Sequence, residues 1–263
     1  MRRTTVRRTA VAASAVSLAL LMSACGGSGK SEAKKDEPKD KASSSAPAQS
    51  AAGGAGALPK EQLTKLLLAD GELADHKVSE IGASDLAMAK TMTSDKAECK
   101  PLSDVMMLQG AGSPAATAAR KIMAKPKGPA VGADASPEEK TAAAMKGLGA
   151  LITSDTLASY AGQGATEAFA AIKKAGADCA GGFAMGGGSD KTKIKKVAPA
   201  TYSAGDEAVA FTLSMEVEGG SDNPTHLVVV RKGNTVAGFY AISLTGQSEQ
   251  PKAIADAQVK KLG

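Results

Sequence analysis

Three cysteines, two histidines and ten methionines carry the strongest intrinsic chemistry in this sequence. Neither His76 nor His226 lies near a Gly-x-Ser-x-Gly elbow, so a serine nucleophile would lack its base. His76, between Asp75 and Lys77, reads as a surface residue, and His226 at the start of an apolar run reads as structural. No Cys-x-x-Cys pair exists and both histidines stand far from the cysteines, which leaves no zinc-like spacing. Met88 with Met92 and Met106 with Met107 offer thioethers suited to copper, although methionine more often fills a core. The runs Gly181-Gly182 and Gly186-Gly187-Gly188 lack the Lys-Ser/Thr of a phosphate loop. They read as a mobile connection, with a lid over a cleft as the alternative. Carboxylates are plentiful, but no pair is isolated in an apolar stretch as acid–base catalysis prefers. With no Trp, three Tyr and four Phe, a stacking platform for sugars is not expected. Tyr160, Tyr202 and Tyr240 remain candidates for a pocket lining or for the core. The expectation is a chain that is not an enzyme, with no catalytic residue, metal site or cofactor.

Cys25 stands apart because of what precedes it. Arg2, Arg3, Arg7 and Arg8 are followed by an Ala-, Val- and Leu-rich run to Met22 and then by Ser23 and Ala24, the order of a secretory leader. The apolar run of about 16 residues is about 24 Å long as a helix, short of the roughly 30 Å hydrocarbon core. Leu21-Met22-Ser23-Ala24-Cys25 resembles the lipobox of bacterial lipoproteins, with Met22 where Leu is commoner. That resemblance implies cleavage after residue 24 and a diacylglyceryl group on the Cys25 sulfur. Two acyl chains would give a durable membrane anchor on the extracytoplasmic face. Residues 26–57 are Gly, Ser, Ala, Pro, Lys, Asp and Glu with no periodic apolar face, so a disordered tether is expected before a domain at 58–263.

Setting Cys25 aside leaves Cys99 and Cys179, an even pair in a compartment that permits oxidation, and a disulfide between them is expected. The alternative is two free thiols holding a metal. Four of the 32 basic residues lie in the leader with no acidic residue, so 28 remain against 27 acidic ones. This near-balance, with only Arg120 and Arg231 as arginines beyond the leader, gives no electrostatic case for nucleic acid.

The elements that would position these side chains show both helical and strand periods, so the fold class is α+β. Pro59 opens an amphipathic helix with Leu63, Leu66 and Leu67 on one face, ending at Asp70-Gly71. Weak periodicity from Val78 to Met92 suggests short strands. Ser136-Pro137-Glu138-Glu139 is a helix start, with the helix running to about Lys146. Ala165, Ala168, Phe169, Ile172 and Cys179 form one helical stripe, which turns Cys179 inward. Val209 to Val217 alternates strictly, the pattern of a half-buried strand. Leu227–Arg231 and Thr235–Ile242 flank Lys232-Gly233-Asn234 as a hairpin, with Val228 and Val230 opposing Phe239 and Ala237. Ile254, Val259 and Leu262 suggest a C-terminal helix.

The order of these features is a Leu-rich helix ending near Gly71-Glu72-Leu73, Glu98-Cys99-Lys100-Pro101-Leu102, Tyr160-Ala161 before the Cys179 helix, and Val228-Val229-Val230-Arg231 in a late strand. It resembles the sensor-type extracellular domains of actinobacterial receptor kinases and related lipoproteins, over most of residues 58–263. The resemblance implies a twisted antiparallel sheet with helices packed on one side and a cleft for a small ligand. Better-known members of that group carry two disulfides, whereas this chain can make one. The function expected is a membrane-anchored, non-enzymatic ligand-binding or sensor-like module. The alternatives are an envelope scaffold or interaction protein, and a lipid carrier with a large internal apolar cavity.

Overall fold

The computed structural model describes residues 56–125, 132, 134–141, 151–187, 190–217, 222–243 and 248–263. The expected leader, Cys25 and nearly all of the expected tether lie outside these residues. The described strands are β1 (His76–Glu80), β2 (Thr93–Ser94), β3 (Ala116–Ala124), β4 (Leu151–Ser159), β5 (Phe183–Gly187), β6 (Asp190–Ala200), β7 (Glu207–Glu216), β8 (Asp222–Lys232) and β9 (Thr235–Ser243). They form one antiparallel sheet in the order β1-β3-β4-β9-β8-β7-β6-β5-β2. The helices are α1 (Lys60–Leu66), α2 (Ala83–Thr91), α3 (Lys100–Met106), α4 (described over 137–141), α5 (Gly164–Asp178) and α6 (Lys252–Leu262). The α+β class and the antiparallel sheet are as expected.

The hairpin that periodicity placed around Gly233 is β8–β9. Lys232 pairs with Thr235, so Gly233 and Asn234 alone make the turn, and Gly233 adopts φ +55°. Val228 faces Phe239 and Val230 faces Ala237, while Leu227 faces Tyr240. The strictly alternating strand is β7, starting two residues earlier than its apolar pattern.

Successive side chains of a strand point to opposite faces, and over 227–230 of β8 and nearly all of β9 they are buried. Leu227, Val229 and Tyr240 belong to one apolar core with Phe211, Leu213 and Phe169, under α3 and α5. Val228, Val230, Ala237 and Phe239 belong to a second core with Leu63, Ile122 and Ile254, under α1 and α6. Helices therefore cover both faces, not one side as expected. The reason was present in the continuous run Leu227-Val228-Val229-Val230, because a strand that is apolar at every position must be covered twice. Gly238 lets α3 approach β9, since a Cβ there would collide with Val105.

Other expectations divide in the same way. Val78 lies in a strand, but 83–91 is helical, so the short strands expected to run through to Met92 are replaced by α2. Ala, Leu, Met and Lys are strong helix formers, and this stretch holds no β-branched residue before Thr91. The glycine run is also corrected. Gly186 and Gly187 pair within β5 to Lys191 and Asp190, so they form strand rather than a mobile connection or lid, and Gly188 lies outside the described residues. Ser136 and Glu139 form a reciprocal capping box at α4, Glu139 N–H donating to Ser136 Oγ at 3.2 Å and Ser136 N–H to Glu139 Oε2 at 2.9 Å. The expected end of that helix near Lys146 lies outside the described residues.

Cys99 and Cys179 form the expected disulfide, with Cα atoms 5.8 Å apart. Cys99 closes a 3-10 turn at the entry to α3 and Cys179 follows the last turn of α5, so the bridge clamps the two helices over the first core.

Candidate functional site

β1 ends at Glu80, opposite Arg120, while β3 continues toward Ala116 without a partner on that side. The chain leaves the sheet at Ile81, is capped at Gly82 and turns into α2. Of the nine residues of α2 only Ala89 is buried, and Met88 is 63% exposed. Its connection to the body includes the Gln109 side chain, whose Nε2 donates to the Ala89 carbonyl at 2.8 Å. α2 is therefore a lightly seated roof.

Two clefts adjoin at α2, one reaching round the open edge of β3 to α1 and the other lying on the α3–α5 side of the sheet. One, of about 570 Å³, is lined by Lys60 and Thr64 of α1, Glu80, Lys90 of α2, Gln109 and residues 117–120 of β3. The other, of about 250 Å³, is floored by Met106, Ile152, Tyr240 and Ile242. Ile81, Ala89, Met107 and Leu108 line both.

The shared wall contains the one non-glycine residue with positive φ among those described, Leu108 at 62°. A branched side chain in that region costs on the order of 1–3 kcal/mol and persists only where its surroundings enforce it. Here the enforcing contacts are Leu108 N–H to the Val105 carbonyl at 3.2 Å and Gln109 N–H to the Asp104 carbonyl at 2.8 Å. They turn the chain sharply after α3 and aim Leu108 into the cleft.

The charges at this site are unevenly spread. Lys60, Lys90 and Arg120 face one carboxylate, Glu80, in the larger cleft. The Arg120 guanidinium lies 3.3 Å from that carboxylate, which is itself largely in solvent. In the smaller cleft Asp85, Lys121 and Ser154 are the polar side chains of a mostly apolar lining. Burial pushes the Tyr240 phenol up to about 12, so it is a neutral group at ordinary pH.

The residues singled out by type fall elsewhere, apart from Tyr240, Met106 and Met107. His226 is structural: its Nε2 lies 2.9 Å from the Ser248 carbonyl, which can only accept, so Nε2 donates and Nδ1 faces Thr212 Oγ1 at 3.3 Å. His76 opens β1 and lines a separate cleft of about 690 Å³ with Asp75, Glu249 and Lys252. Tyr160 donates to the Ala111 carbonyl at 2.7 Å and Tyr202 to Asp256 at 2.7 Å, both within the cores. Met106 and Met107 line the clefts, while Met88 points outward. The described residues contain no group of three or more His, Cys, Asp or Glu side chains placed to hold a metal ion.

Apart from Tyr240, Met106 and Met107, none of the cleft residues was legible as ligand-binding in the sequence, because they come from six separate stretches between Lys60 and Ile242. The available signal was the helix-forming composition of 83–91, which outweighed its weak periodicity.

No protein-family model matches the chain, and no curated protein matches it. Among solved structures, the extracellular domain of PknH from Mycobacterium tuberculosis is similar with a TM-score of 0.45 at 12% identity, over 80% of this chain and 98% of that one. An uncharacterized protein from Mycobacterium smegmatis is similar with a TM-score of 0.34 at 12% identity, over 72% of this chain and 90% of that one.

Proposed function

We propose that this chain is a non-enzymatic binding module of the extracytoplasmic face, held to the membrane through a diacylated Cys25. The observation that carries the binding role is the cleft under α2, where an apolar floor, a strained Leu108 and a lightly seated helix coincide. Strain held at a cleft wall is a feature of sites built to receive something. The Cys99–Cys179 bridge supports the compartment, since such bonds persist where thiols are not kept reduced. The tether of residues 26–57 would let the domain stand away from the lipid headgroups.

A lipid carrier would need an apolar cavity of many hundreds of Å³, and the apolar cleft here has about 250 Å³ and opens to solvent. A scaffold would offer an exposed apolar patch, and among the described residues Met88 is the one large apolar side chain that stands exposed. Both readings are weaker than a ligand cleft.

The anchor is tested by growing cells with labelled palmitate and following the protein by its size. The wild-type chain should carry label and fractionate with membranes, and Cys25→Ser should carry none and keep its leader. Equal labelling of both forms would remove the anchor. Native mass spectrometry of the protein released from its own membranes tests the binding role, with a bound small molecule as the expected result.

A further inference from the structure

We infer that the paired clefts at α2 take a single-chain anionic amphiphile, its head among Lys60, Lys90 and Arg120 and its short alkyl tail on the Tyr240–Ile242 floor. This rests on the cleft being a ligand site at all. Three features select this class. The first is charge: three cations meet one carboxylate in the larger cleft, in a chain whose post-leader residues are otherwise balanced at 28 basic and 27 acidic. Arg120 shares its Glu80 partner with water, because that carboxylate is 85% exposed, so an incoming anion can recruit the guanidinium. Lys60 and Lys90 are exposed and take part in none of the ion pairs formed among the described residues.

The second feature is polarity along the path. The cation-bearing cleft adjoins one whose floor is Met106, Ile152, Tyr240 and Ile242, so a ligand lying across both meets charge at one end and hydrocarbon at the other. With Tyr240 neutral, nothing on that floor favours a second charge. The two charges that line it, Asp85 and Lys121, are of opposite sign and leave the cleft without net charge. The third feature is access. α2 buries only Ala89, so a flexible chain can slip beneath it without unpacking a core. At about 250 Å³ the apolar cleft suits a short tail better than a ring system.

The test is calorimetric titration of the full chain carrying Cys25→Ser with decanoate, decyl phosphate, decanol and decyltrimethylammonium. One or both anions should bind, decanol about tenfold more weakly, and the cation not measurably. Affinity should rise by about threefold to fourfold per methylene from hexanoate to decanoate. The paired change Lys60→Gln with Lys90→Gln, on exposed side chains, should weaken the anions by about tenfold and leave decanol unchanged. Ala89→Phe, which fills the passage, should abolish binding of the anions and of decanol.

Equal binding of decanol, tighter binding of the cation, or indifference to the lysine changes overturns the anionic head. Anion binding that survives Ala89→Phe in a folded protein places the site elsewhere and overturns the assignment. If no probe binds, the amphiphile is excluded. A different molecule found on the native protein and lost in Ala89→Phe would then preserve the binding role, and an empty native protein would sink both.

Discussion

Asp155 is the most demanding residue in the molecule. It sits in the middle of β4 with its side chain wholly buried, and neither carboxyl oxygen has a hydrogen-bond partner. Arg120 lies directly across from it on β3 but turns its guanidinium to Glu80 at the sheet edge. Burial raises the Asp155 pKa well above its ordinary 3.8, and the charge of Lys261 offsets this only in part. The sign follows: the folded state keeps a proton that the unfolded chain releases above that ordinary value. The penalty is absent at low pH and grows as pH rises toward the folded pKa. Asp155→Asn should therefore stabilise the protein by about 1–3 kcal/mol at pH 7 and by much less near pH 4. Urea unfolding at the two pH values checks this, and a gain equal at both would refute the buried neutral acid. Nothing in the sequence marked this residue. Thr153-Ser154-Asp155-Thr156 has the composition of a turn, and β4 is a strand because β3 and β9 pair with it on both sides.

At the scale of elements, the two helical layers are tied by different means. On one face the disulfide joins α3 to α5 across 80 residues of sequence, a closure worth about 4–5 kcal/mol on a chain-entropy basis. Replacing both cysteines by alanine should lower the unfolding free energy by about that amount in guanidinium. A loss below about 1 kcal/mol would show that packing alone holds the two helices. Thiol labelling of the unfolded, unreduced chain should find neither Cys99 nor Cys179. On the other face Gln258 of α6 bridges to the end of α1, accepting from Leu68 N–H at 2.9 Å and donating to the Leu66 carbonyl at 2.8 Å. Lys261 adds a bond to the Leu67 carbonyl at 2.8 Å and an ion pair with Glu72. Gln258→Leu leaves a buried N–H without a partner and should cost about 1–3 kcal/mol. Amide exchange at Leu68 should quicken in that variant, and unchanged protection would argue against the tie. Local pattern captured α5 and α6 through their stripes, but it missed α2, whose seat has no apolar face to announce it.

For the molecule as a whole, two sheet faces with separate cores explain how a chain with four Phe and no Trp folds. Aliphatic side chains fill most of each face, with Phe169, Phe183 and Phe211 in one core and Phe239 in the other, and the central strands serve both. At the β1–β3 edge the cover is α2, which buries only Ala89. If the binding role is right, occupancy should protect that region most. Hydrogen exchange with decanoate present should slow at residues 83–91 and 107–112 and leave β7 to β9 as before. Protection confined to the central strands would point to global stabilisation without a site.

Sequence alone determined those features that depend on neighbours along the chain: the β8–β9 register, the alternation of β7, the inward stripe of α5 and the pairing left to Cys99 and Cys179. The expected leader and the proposed lipid on Cys25 rest on sequence alone. Only the tertiary structure decided which helices cover which face, that Asp155 is sealed from water, and that Lys60, Lys90 and Arg120 share a cleft with Tyr240 as its neighbour. These depend on contacts between distant residues, such as Leu58 N–H with Ser159 Oγ 101 positions away and Leu68 with Gln258 190 positions away. Periodicity records which side of an element is apolar, but not what arrives to cover it.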